Sequence, residues 1–134
     1  MQNVVGIEPK VAMLSFSTKG SAKHEMVDKV VNATNIARQS SNYIIDGEMQ
    51  VDSALDLKTA KKKGVASEVG GNANVLVFPD LNAGNIAYKL TARLGGYNAV
   101  GPIMLNFNKP VNDLSRGCTA EEVVQTVLIT KLLV

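Results

Sequence analysis

Between Asn74 and Pro79 the chain reads Val-Leu-Val-Phe, four apolar residues with no polar partner at alternate positions. A strand with one wet face alternates, so this run belongs to a strand covered on both faces, the habit of a parallel sheet. The run Val11-Ala-Met-Leu-Ser-Phe-Ser17 has the same character, as does the run over 100–105. Between them lie stretches of helical period. Over 22–39, Val27, Val30, Val31, Thr34 and Ala37 fall three or four apart and make one stripe, with Ser21 placed to cap the helix. The segment Tyr43-Ile-Ile-Asp-Gly-Glu-Met-Gln-Val51 admits a hairpin at Asp46-Gly47 or a parallel strand. The helix-strand alternation favours a strand ending near Asp46. Helices are expected over 53–63, over 85–94 with Asn82 as cap and Gly95-Gly96 as stop, and over 123–133. The order is β-α-β-α-β-α-β-α, which predicts an α/β fold with helices on both faces of the sheet and ligand-bearing loops at the carboxyl ends of its strands.

At 134 residues the chain holds one domain's worth of polypeptide, able to bury roughly two-thirds of its unfolded surface. No apolar run nears the roughly 20 residues of a membrane-spanning helix, and the first residues lack the pattern of an export signal. A single cysteine excludes an internal disulfide and fits a reducing cytoplasm. With 14 basic against 12 acidic residues and 4% aromatics, a nucleic-acid partner is disfavoured. The run Lys61-Lys62-Lys63 before Gly64 reads instead as the last turn of a helix, where cations meet the negative dipole end. The dinucleotide and nucleotide glycine motifs, CxxC and HExxH are all missing, and the lone His24 reads as a solvated side chain in a first helical turn. A serine-histidine-acid triad and a metal site are therefore not expected.

Two loops hold what chemistry there is. The turn Ser17-Thr18-Lys19-Gly20-Ser21 offers hydroxyls, amides and one lysine ahead of a helix, either a phosphate cradle or an ordinary capped turn. The stretch over 109–122, Lys-Pro-Val-Asn-Asp-Leu-Ser-Arg-Gly-Cys-Thr-Ala-Glu-Glu, is richer. Pro110 and Gly117 restrict and then release the backbone, so Asn112, Asp113, Ser115 and Arg116 can be held in fixed directions. Arg116 either grips a phosphate with its planar fork or pairs with Asp113 and pins the loop. Ser115 donates to a reacting oxygen or caps the turn. Cys118 is an activated thiol or a small filler. Thr119-Ala-Glu-Glu122 matches a capping box, which accounts for Glu122 fully, though a carboxylate there could also accept a proton.

At these residues the chain resembles the phosphate acetyltransferases. Lys109-Pro-Val-Asn-Asp-Leu-Ser-Arg-Gly-Cys118 is close to the signature of that family's C-terminal region. The blocks Leu14-Ser-Phe-Ser-Thr-Lys-Gly-Ser-Ala22, Ile45-Asp-Gly-Glu48 and Asn74-Val-Leu-Val-Phe-Pro-Asp-Leu-Asn-Ala-Gly-Asn-Ile-Ala-Tyr-Lys89 follow the family's order. The resemblance implies an isocitrate dehydrogenase-like α/β/α sandwich in a cytoplasmic, usually dimeric enzyme. Its reaction moves acetyl between acetyl phosphate and coenzyme A, by direct attack of the thiol with phosphate leaving. Ser115 and Arg116 would hold the acyl phosphate and Glu122 would be the base, with Asn112, Asp113 and Lys19 as coenzyme A contacts. Cys118 would be a bystander. Two departures stand out: the base is Glu where the family has Asp, and Leu105-Asn-Phe-Asn108 replaces a smaller segment. Family members are also more than twice this length. Residues 1–101 would then be the core of a second lobe, and residues 102–134 would pack on a first lobe that this chain lacks. The chain alone would be inactive, with apolar surface on its last helix. A non-catalytic dimerisation or coenzyme A-binding module is the alternative.

Overall fold

The structure, a computed structural model, describes residues 6–133. These residues form two compact units, one spanning Ile7–Gly84 and the other running from Asn85 onward.

In the first unit, β1 (Lys10–Leu14), β2 (Ile44–Met49) and β3 (Val75–Val77) form a parallel sheet in the order β2-β1-β3. The expected α/β class, with apolar strands in parallel, holds. Asn74 fastens the start of the sheet: its Oδ1 accepts from the Lys10 amide (2.8 Å) and its Nδ2 donates to the Glu8 carbonyl (2.9 Å). Helix α1 (Glu25–Ser40) lies on one face, burying Val27, Val30 and Thr34 from the expected stripe. Neighbouring strand residues face opposite ways, so Met13 meets α1 while Ala12 and Leu14 face the other side. There they join Met49, Ala54, Ala60, Val65 and Val69 in the buried core. This gives a three-layer helix-sheet-helix unit.

Several boundaries differ from expectation for local reasons. Helix α1 starts after His24, whose Nδ1 accepts from the Met26 amide (3.1 Å); Ser21 is not its cap, because its hydroxyl accepts from the Thr18 amide instead. Strand β2 runs on through Gly47 to Met49 rather than ending near Asp46. The helix expected over 53–63 is split into α2 (Val51–Leu55) and α3 (Leu57–Lys62), since extended Asp56 caps the second piece through the Thr59 amide (2.6 Å). Lys61 and Lys62 do occupy the last turn of α3, and Gly64 follows at φ 72°. Helix α4 (Leu81–Gly95) begins four residues earlier than expected; Asp80, not Asn82, holds its start by accepting from the Ala83 amide (2.9 Å). Gly96, at φ 69°, follows its end.

In the second unit the expected strand over 100–105 is missing. What remains is a single antiparallel bridge, Ile103 to Asn112. Pro102 lacks an amide to donate, and Met104 and Leu105 lie exposed, so the apolar run is not a buried strand. The chain ends in α5 (Ala120–Leu132).

Candidate functional site

In the second unit, the loop carries Ser115 and Arg116 on its exposed part, between two fastened ends. At the near end Asn112 Oδ1 accepts from the Met104 amide (3.0 Å) and Asn112 Nδ2 donates to Thr130 Oγ1 on α5 (2.6 Å). The Asp113 amide reaches the Pro102 carbonyl (3.4 Å), and the Asp113 carboxylate accepts from the Leu114 amide (2.7 Å). At the far end the capping box is formed in both directions. The Thr119 amide donates to Glu122 Oε2 (2.7 Å), and the Glu122 amide donates to Thr119 Oγ1 (3.2 Å).

Between these ends, Ser115 Oγ meets, among the described residues, only the Gly117 amide at 3.4 Å, near the limit for a hydrogen bond. The Arg116 guanidinium makes no hydrogen bond or ion pair among the described residues, so the alternative of an Arg116–Asp113 pair is not what forms. Cys118 is half-buried. A side-chain carbon added at Gly117 would meet nothing within 4 Å, and Gly117 is not among the glycines at positive φ. Its backbone release, expected from sequence, is therefore not required within this chain. The loop thus brings together Asn112, Asp113, Ser115, Arg116 and Glu122 on one turn and one helix start. Its side-chain polar groups are bonded within the chain at both ends, while the Ser115 and Arg116 side chains in the middle are exposed.

In the first unit the turn at 17–21 leaves the carboxyl end of β1, and its amides are already used. Gly20 N–H donates to Glu48 Oε1 (2.7 Å), Lys19 N–H to the Glu48 carbonyl (3.2 Å), Ala22 N–H to Ser17 Oγ (3.1 Å) and Thr18 N–H to Ser21 Oγ (3.0 Å). The buried Glu48 carboxylate, which also accepts from Ser17 Oγ (3.0 Å), already fills the acceptor place at the Gly20 amide. The capped-turn alternative is the one that forms.

Lys19 is engaged as well: its ammonium donates to Asp46 Oδ1 (2.5 Å) and to the Gly47 carbonyl (3.1 Å). Asp46 is buried and additionally bonded by Arg38 and by Ser67 Oγ (2.5 Å). Burial pushes its carboxyl up, but the Lys19 ammonium, the Ser67 hydroxyl and the Gly47 amide together hold it below the usual carboxylate value. Asp46 and Glu48 do not stand out in the sequence as individual site residues. The signal was there, since two carboxylates bracketing a glycine inside an apolar strand need partners.

Fold and loop together define an α/β protein built on an open parallel sheet, with an exposed loop bearing Ser115 and Arg116 that feeds a capped helix. The chain belongs to the phosphate acetyl/butaryl transferase family, whose model matches residues 1–131. It is 56% identical over 130 residues to a phosphate acetyltransferase of Clostridium acetobutylicum, covering 96% of this chain and 39% of that one. A phosphate acetyltransferase of Bacillus subtilis is 56% identical over 125 residues, covering 92% of this chain and 39% of its own. The crystal structure of a phosphotransacetylase from Streptococcus pyogenes superimposes with a TM-score of 0.91 at 51% identity, over 98% of this chain and 40% of that one. The chain thus spans about two fifths of the length of these relatives.

Proposed function

We propose that this chain is the C-terminal portion of a cytoplasmic, homodimeric acyltransferase that moves acetyl between acetyl phosphate and coenzyme A. The observation that carries the reading is the exposed, unpaired Arg116 guanidinium beside Ser115, in a loop whose two ends are fastened. Arg116 and Ser115 bind the acyl phosphate and offset the charge that grows on its oxygens as the carbonyl is attacked. The coenzyme A sulfur forms the new bond to the acetyl carbon, and the bond from that carbon to the phosphate oxygen breaks. Glu122, one of whose oxygens holds the Thr119 amide, takes the thiol proton on the other. Phosphate leaves with the electrons of the broken bond. Cys118 has no part in this, because coenzyme A brings its own thiol.

Asn112 is left out of the ligand set, since its amide oxygen and nitrogen are both bonded inside the chain, and so is Lys19, whose ammonium is drawn onto Asp46 and the Gly47 carbonyl. Asp113, exposed at the mouth of the loop, stays as a contact for coenzyme A. The substrates need a facing lobe, which residues 102–134 meet, so the chain by itself does not turn over. Metal and prosthetic group have no part in the step.

The test is acetyl-coenzyme A formation from acetyl phosphate by this chain alone, and by this chain joined behind the portion of the Clostridium acetobutylicum relative that it does not cover. The fused protein should be active and the lone chain not. Arg116→Ala should lower kcat/KM of the fusion by about a hundredfold to a thousandfold. Full activity with Arg116→Ala would overturn the assignment of the site. A fusion that folds but makes no acetyl-coenzyme A would favour a non-catalytic module.

A further inference from the structure

We propose that Asn112 is a positioning residue: it clamps the loop that carries Ser115 and Arg116 onto one polar face of α5, through Thr130. This rests on the reading of Ser115 and Arg116 as the acyl-phosphate-binding pair. The face is continuous. Thr130 Oγ1, which accepts from Asn112 Nδ2 (2.6 Å), donates to the Thr126 carbonyl (2.7 Å), and Thr126 Oγ1 donates to the Glu122 carbonyl (2.8 Å). Glu122, Thr126 and Thr130 are spaced four apart, so they stack along one side of the helix. Thr126 is a fully inward member of that side, only 5% exposed.

The loop is thus anchored to the same helix twice, by Asn112 on Thr130 and by Thr119 on Glu122. The anchors on the helix are eight residues apart, about 12 Å along its axis. The chain from Asn112 to Thr119 could reach about twice that when extended. It therefore bows between the anchors with slack, and its shape depends on both of them together with the Asp113–Pro102 and Cys118–Ser115 backbone bonds. Arg116 stands at the middle of the bow, where release of either end moves it most. The chemistry also sets the amide's orientation: its oxygen must face the Met104 amide and its nitrogen the Thr130 hydroxyl, which is what the bonds show.

The test uses the fused protein described above, with acetyl phosphate and coenzyme A as substrates, and Asn112→Ala, Thr130→Val, the double variant and Thr130→Ser. Asn112→Ala and Thr130→Val should each lower kcat by up to about a hundredfold, because a shift of the order of an ångström at a reacting group costs that much. KM for coenzyme A should stay within about twofold, since no ligand contact is removed. The double variant should be no worse than the poorer single, and Thr130→Ser, which keeps the hydroxyl, should restore activity. Tryptic cleavage between Arg116 and Gly117 reads the clamp with no need of activity, and both single variants should speed it. Unchanged cleavage in Asn112→Ala and Thr130→Val would overturn the proposal. So would a raised KM for coenzyme A at full kcat in Asn112→Ala, the mark of a direct ligand contact. A fusion without transferase activity would sink the functional reading alone, leaving the cleavage rates to decide the clamp.

Discussion

Asp46 stays ionised inside the first unit because three side chains and an amide converge on it, and its charge in turn fixes where they go. Lys19 is drawn down from the turn onto Oδ1, Arg38 is drawn from the end of α1 onto the same oxygen, and Ser67 closes the other. Lys19 accepts a φ of 50° in that position, a conformation costly for any residue with a side-chain carbon. The held-down pKa has a thermodynamic sign. A carboxyl whose folded pKa lies below its unfolded one contributes stability that is present above the unfolded value, about 3.9, and is lost as pH falls through the folded value. The substitution Asp46→Asn, which removes the charge and keeps the shape, should therefore lower stability at pH 7 by about 1 to 2 kcal/mol; the figure is modest because solvent screens Lys19 and Arg38. The gap between wild type and variant should narrow as the pH drops below about 4. Urea midpoints measured from pH 7 to pH 3 check this, and parallel curves would contradict it. None of this wiring was legible from Lys19 alone, which in the sequence looks like a free cation in a glycine turn. It becomes legible only once β2 is carried past Asp46 and brings both carboxylates beside the turn.

Strands were readable where a face of the strand is buried in this chain and misread where it is not, whereas helices were readable from period and stop signals even in α4, which buries no residue. Val75, Leu76 and Val77 form the strand their apolar run announced, and Val27, Val30 and Thr34 bury the stripe of α1. The run over 100–105 is just as apolar, yet it forms no ladder, because period and hydropathy report what must be covered without saying by what. Cap positions were decided by competition for hydroxyls: Ser21 was a good cap lost to its own turn, while Thr119 and Glu122 had no competitor and formed the box that the sequence showed. That box allows the two roles of Glu122 to be separated at the level of the helix. In Glu122→Gln the amide oxygen still accepts from Thr119 N–H, so α5 keeps its start, but the group can no longer take a proton. Glu122→Ala loses both. Thermal melting of the fused enzyme should accordingly be unchanged in Glu122→Gln and lowered in Glu122→Ala by about 1 kcal/mol, whereas acetyl transfer should fall at least about a hundredfold in both. Retained activity in Glu122→Gln would make the residue a cap and nothing more.

Hydrophobic burial is distributed unevenly over the whole molecule, and this bears on what the chain can do by itself. Every apolar side chain buried among the described residues lies between Pro9 and Val69. Over 85–133 there is none. Helix α4 buries no residue, and Ile86, Leu90, Leu94, Val124, Val127, Leu128 and Leu132 are each more than half exposed. A helix holds in water mainly through the face it buries, so α4 and α5 draw little support from within this chain. Exposed apolar side chains in such number make a surface suited to cover by another segment. The relatives are about two and a half times as long, which supplies a candidate for that segment. Hydrogen exchange gives the idea a measurable form, because local opening free energy follows local burial. In the chain alone, the amides of β1, β2 and α1 should exchange slowly, and those over 85–133 fast. Joined behind the uncovered portion of the Clostridium acetobutylicum relative, the amides of α4 and α5 should slow by about tenfold or more, each factor of ten corresponding to about 1.4 kcal/mol of added protection. Protection over 85–133 in the isolated chain equal to that of the sheet would show that the second unit is self-sufficient. The missing portion would then supply substrate contacts without supplying stability.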